Sequence, residues 1–139
     1  MNEGNLILLV EDDKIDAMTV RRAMKEISST NPVRHVANGE EALAYLRDER
    51  NPRPAYILLD INMPKMNGIE FLRAARTDEK LRQIPVIMLT TSKEERDRIE
   101  SFNLCVAGYM VKPVDYEQFV ETMRVIEQYW NRSEKPNTP

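Results

Sequence analysis

Three short stretches of this chain are almost wholly apolar: residues 6–10 (LILLV), 56–59 (YILL) and 85–89 (PVIML). Runs this short, without polar alternation, suit strands that are covered on both faces. Residues 33–37 and 109–111 are weaker candidates for two more strands. The stretches between them carry helical spacing. Val20, Ala23, Met24 and Ile27 fall at i, i+3, i+4, i+7, and so do Gly39, Ala42, Leu43 and Leu46. Ser92 with Glu95 reads as a capping box, and Asp115 with Gln118 resembles one ahead of Tyr116, Phe119, Val120 and Met123. Strands that alternate with helices must be joined by crossovers, which are nearly always right-handed and put helices on both faces of a parallel sheet. The pattern therefore predicts an α/β, doubly wound, five-stranded parallel sheet with five helices.

Ligands of such sheets bind beyond the carboxyl ends of the strands. Reading off the residues that follow each apolar run gives Glu11, Asp12 and Asp13, then Asp60, then Thr90, then Lys112. Carboxylates gathered on one rim repel one another, a cost that falls when a cation sits among them. Oxygen donors without His or Cys suit magnesium, which keeps waters beside one or two carboxylates and a phosphate. Lys112 adds a second positive charge. A site so built suits phosphoryl transfer, where positioning and charge neutralisation dominate, and Asp60 is the carboxylate placed to form an acyl phosphate.

The blocks LLVEDD, YILLDINMPKMNG, PVIMLTTS and GYMVKP, in this order, resemble the signature segments of bacterial response-regulator receiver domains, over about residues 6–130. The resemblance implies the flavodoxin-like (βα)5 fold with strand order 2-1-3-4-5. It implies Asp60 as phosphoacceptor, Asp12 as the main carboxylate ligand of Mg2+, and Glu11 in the second acidic place, where many receivers have Asp. By the same resemblance Asn62 gives the metal its backbone carbonyl, Thr90 hydrogen-bonds a phosphoryl oxygen, and Lys112 pairs with another. The Lys112–Pro113 bond is expected to be cis, a form tolerated before proline. Tyr109 matches the aromatic that turns inward as Thr90 moves, so the last two helices and the last strand should change shape as a population shift. The implied activity is that of a phospho-accepting switch and not of an enzyme with a turned-over substrate. The implied partner is a sensor histidine kinase, and a histidine phosphotransfer protein is a possible onward acceptor. PVIMLTTS and the pair Tyr129 and Trp130 are similar to stand-alone receivers that serve bacteriophytochrome kinases.

Other features bound this reading. A net charge of -3 and a pI near 5.3 give no general attraction to nucleic acid or anionic lipid. One cysteine, Cys105, excludes an internal disulfide, no stretch approaches a bilayer span, and a cytoplasmic location is expected. One domain over residues 1–130 is expected, with a polar, disordered tail at 131–139. Asp13 reads as a helix cap, Asn67 and Gly68 as a turn, His35 as an ordinary surface or core residue, and Cys105 as a small apolar residue on a helix. The last helix keeps apolar positions through Ile126, Tyr129 and Trp130, which predicts a homodimer through that face. Two rivals stand beside this reading. A haloacid-dehalogenase-type phosphatase needs a second Asp where this chain has Asn62, and an unphosphorylated pseudo-receiver has no use for Asp12, Asp60, Thr90 and Lys112 together.

Overall fold

The computed structural model describes residues 6–27, 29, 31–90, 93–111 and 116–132. Strands and helices alternate along them: β1 (Ile7–Val10), α1 (Lys14–Glu26), β2 (Val33–Val36), α2 (Gly39–Arg47), β3 (Tyr56–Asp60), α3 (Gly68–Thr77), β4 (Val86–Thr90), α4 (Lys93–Ser101), β5 (Gly108–Val111) and α5 (Tyr116–Arg132). All pairings are parallel and the strand order is β2-β1-β3-β4-β5. This is the order the resemblance implies.

Alternation of side chains across each strand sorts the core into two layers. Leu8, Val10, Ile57, Leu59, Val86 and Met88 face one layer with Leu43, Phe71, Leu72 and Ile99, so α2, α3 and α4 cover that side. Ile7, Leu9, Tyr56, Leu58, Ile87 and Leu89 face the other, with Val20, Met24, Phe119, Val120 and Met123 of α1 and α5. Both faces of the central strands are dry, which is why their sequence lacks polar alternation. Truncating one such side chain to Ala typically costs about 2–5 kcal/mol.

Caps explain where the helices begin. Asp13 accepts from the amides of Ile15 and Asp16 at the start of α1, as expected of it. Asn38 accepts from the Glu41 amide ahead of α2. Asn67 and Glu70 form a full capping box at α3, so the turn read at Asn67 and Gly68 leads into the third helix, with Asn67 as its cap and Gly68 its first residue. The boxes read at Ser92 and Asp115 involve residues outside those described. One expectation fails: Cys105 is not on a helix. The helix ends at Ser101, and Asn103 and Cys105 adopt φ of 51° and 55° in the connection to β5, where Cys105 is exposed. Charged residues occupy most of α4, so little apolar patterning marks where it ends. No helix among the described residues is long and apolar enough to cross a membrane.

At the amino ends of the strands, Glu127 of α5 is buried. Its carboxylate accepts from the Ser29 hydroxyl at 2.6 Å and from the Asn31 side-chain amide, which ties α5 to the connection between α1 and β2. Tyr56, at the start of β3, is 1% exposed. Burial, and secondarily the Glu127 carboxylate, push its phenol far above the ordinary tyrosine range.

Candidate functional site: an acidic rim at the carboxyl ends of the strands

β1 and β3 lie side by side, so the residues at their carboxyl ends meet. Glu11, Asp12 and Asp60 each place a carboxylate oxygen so that all three atoms lie within 4.8 Å of one another. Glu11 and Asp60 are buried while Asp12 is exposed, so the cluster opens to solvent on one side. Asp60 and Thr90 are the last residues of β3 and β4, not the first after them.

The main chain around Glu11 is held on several sides. Its amide donates to the Val36 carbonyl at 3.0 Å, and its carbonyl accepts from the His35 ring at 2.7 Å. A carbonyl can only accept, so the Nε2 atom of His35 carries the proton. Glu11 Oε2 in turn accepts from the Asp13 amide at 3.2 Å. Asp12 therefore sits between a buried neighbour clipped to β2 and a residue committed to capping α1. His35, read from sequence as an ordinary residue, braces the acidic rim through the backbone. No sequence signal carries that, because the contact depends on β2 lying against β1.

The segment after β3 is shaped by close backbone approaches. Met66 donates its amide to the Pro64 carbonyl at 2.7 Å around Lys65, whose φ of 66° is costly for a residue with a side chain. Gly68 donates to the Ile61 carbonyl at 2.9 Å, and a Cβ there would lie 2.4 Å from the Asp60 carbonyl oxygen. Gly39, at the start of α2, donates to the Met66 carbonyl at 3.0 Å and leaves room for the Met66 side chain. Two glycines thus let helix starts pack directly against the end of β3 and the segment that follows Asp60.

Thr90 is 2% exposed, and its hydroxyl faces the Met110 carbonyl at 3.4 Å. Tyr109, on β5 beside β4, is half-buried. The Arg96 guanidinium lies 5.0 Å from its ring centroid. Burial and the nearby Glu100 carboxylate raise the Tyr109 phenol above its usual range, against the opposing pull of Arg96. The Asn62 side chain is exposed and donates to Glu95 of α4 at 3.2 Å, so the amide points to α4; the resemblance assigns the metal to the backbone carbonyl instead. Lys112 and Pro113, and with them the expected cis bond, lie outside the described residues.

A rim of oxygen donors only, two of them on buried carboxyl groups, fits a small hard dication better than any soft metal. Fold and rim together define a receiver. The chain belongs to the response regulator receiver domain family, whose model matches residues 7–124. Phosphorylation and Mg2+ binding are generic to this family. The chain is 38% identical to the probable methanogenesis regulatory protein FilR2 of Methanothrix harundinacea, over 94% of this chain and 88% of that protein. It is 36% identical to the response regulator Rcp1 of Synechocystis, over 93% and 90% respectively, and superposes on the Mn2+-bound form of Rcp1 with a TM-score of 0.81. The bacteriophytochrome response regulator RtBRR superposes with a TM-score of 0.80 at 39% identity, over 98% of this chain and 84% of that one.

Proposed function

We propose that Asp60 accepts a phosphoryl group from the phosphohistidine of a sensor kinase, with Mg2+ held by Glu11, Asp12, Asp60 and the backbone carbonyl of Asn62. The observation that carries this reading is the convergence of three carboxylates within 4.8 Å around a buried Asp60. The dication supplies neutralisation of the oxygens on the transferring group. Asp60 provides the attacking oxygen: its bond to phosphorus forms as the bond from the donor nitrogen breaks. Thr90 binds one phosphoryl oxygen and Lys112 another. Tyr109 then occupies the space that Thr90 leaves, and the face of α4, β5 and α5 changes. The product is a modified protein and not a released metabolite, so the chain works as a switch.

The likeness to RtBRR supports a bacteriophytochrome-type kinase as the donor, and a cytoplasmic location goes with that reading. A histidine phosphotransfer protein is the onward acceptor we consider first. Val125 and Tyr129, 57% and 65% exposed on one side of α5, support a two-fold dimer through that helix. Sedimentation should then show an association that depends on concentration, and a monomer at every concentration overturns the dimer. For the site itself, incubation with acetyl phosphate and Mg2+ followed by mass spectrometry should place one adduct on Asp60. EDTA and Asp60→Ala should each abolish it. An adduct elsewhere, or one indifferent to EDTA, refutes the assignment.

A further inference from the structure

The two ends of α4 are held in different ways. Ile99 is the one buried residue among its nine, so the helix gains little from the core. Beyond its carboxyl end, Arg76 of α3 reaches across to the connection with β5. Its Nε donates to the Leu104 carbonyl at 2.9 Å and one terminal nitrogen to the Cys105 carbonyl at 3.0 Å. The other donates to the carbonyls of Arg82 and Ile84 at 3.0 and 3.3 Å, in the connection between α3 and β4. One planar guanidinium thus fastens two connections to each other and to α3, a task that suits its fixed fork of donors. It fastens them where Asn103 and Cys105 hold left-handed backbone, a costly conformation that persists only when its surroundings impose it. Arg73 of α3 adds a stack over Phe102, 4.5 Å from the ring centroid.

Among the described residues, the tie seen at the amino end is a single side-chain hydrogen bond. Glu95, in the first turn, accepts from the Asn62 side chain at 3.2 Å in an exposed hydrogen bond. Exposed bonds of this kind contribute about 1 kcal/mol or less. Asn62 lies two residues beyond Asp60, on the segment whose backbone borders the acidic rim. Between the two ends, Arg96 stacks on Tyr109 while pairing with Glu100 at 2.9 Å.

We propose that α4 is a lever fixed at its carboxyl end by Arg76 and latched at its amino end by the Asn62–Glu95 hydrogen bond, so that the state of the Asp60 site is transmitted by release of that latch. This rests on Asp60 being the phosphoacceptor. A dianion on Asp60 brings charge of the same sign as Glu95 close to Asn62, and it adds a competing claim on the segment that carries the Asn62 amide. The latch opens, and α4 pivots about the end that Arg76 holds.

Hydrogen exchange on the unphosphorylated protein tests the mechanics apart from the chemistry. Asn62→Ala should speed exchange at residues 97–99 about fivefold, the factor expected for one exposed hydrogen bond, and should add nothing further when combined with Glu95→Ala. Glu95→Gln, which keeps an acceptor, should restore slow exchange. Arg76→Ala should instead speed exchange at residues 103–107, where the Asn103 amide donates to the Glu100 carbonyl and the Ala107 amide to the Val86 carbonyl. Additive effects of the two single variants, or an Arg76→Ala effect centred on residues 97–99, overturn the lever. Beryllofluoride with Mg2+ should then reproduce the Asn62→Ala pattern and leave residues 103–107 unchanged. With the adduct confirmed on Asp60, an unchanged pattern refutes transmission through the latch, whereas failure to form any adduct refutes the phosphoacceptor.

Discussion

Gly68→Ala offers a sharp test of how the segment after Asp60 is built. The added Cβ would sit 2.4 Å from the Asp60 carbonyl oxygen and 2.9 Å from the Ile61 Cα. Real contacts of this kind do not fall below 3.0 Å, so the first must open by at least 0.6 Å (3.0 minus 2.4), and both neighbours are backbone. Neither can swing aside as a flexible side chain would. Overpacking of this sort costs about 1–3 kcal/mol. Replacing a helical glycine by alanine gives back about 0.5–1 kcal/mol, so a net loss is expected. The shift falls on Asp60 itself, and misplacing a reacting group by about 1 Å can cost about 100-fold in rate. We expect labelling by acetyl phosphate to slow by about 10- to 100-fold, and the urea midpoint to fall. Gly108→Ala is the control, because its Cβ would meet nothing within 4 Å. A Gly68→Ala protein that labels and unfolds like the Gly108→Ala protein would refute the reasoning.

Two further outcomes separate structural from chemical roles. Asp13→Ala should cost about 1 kcal/mol in urea unfolding by removing the α1 cap, yet still label at Asp60; loss of labelling would put Asp13 among the metal donors. Tyr56 should make stability fall at high pH. An unfolded tyrosine ionises near pH 10 while the native phenol, held well above that by burial, keeps its proton. The unfolded state therefore binds fewer protons above pH 10. The stabilisation is full below that pH and declines above it by up to about 1.4 kcal/mol per unit. Tyr56→Phe should lose stability less steeply between pH 10 and 11.5, and equal slopes would contradict the assignment.

How far the sequence reached depends on the range of the interactions. Strands covered on both faces declare themselves through unbroken apolar runs, so LILLV, YILL and PVIML located β1, β3 and β4 to within a residue or two. The parallel order then brought Glu11, Asp12 and Asp60 together, since adjacency of β1 and β3 requires it. Asp13 was legible because a cap acts within four residues. What stayed hidden acts between elements. His35 braces Glu11 only because β2 packs beside β1, and Arg76 could not be told from any other arginine at a helix end. Glu95 read as half of a capping box, and its partner Asn62 lies 33 residues away. The end of α4 was misjudged because few apolar residues mark that helix, and the left-handed residues Asn103 and Cys105 are not the glycines that usually announce a break.

The carboxylate of Glu127 gives the molecule a stiff pole. By stitching α5 to the approach to β2 underneath the sheet, it turns that end into a stator against which the acidic rim can be displaced. On the function proposed above, a change at Asp60 would then be taken up by helices near the rim, with the far end of α5 held to the approach to β2.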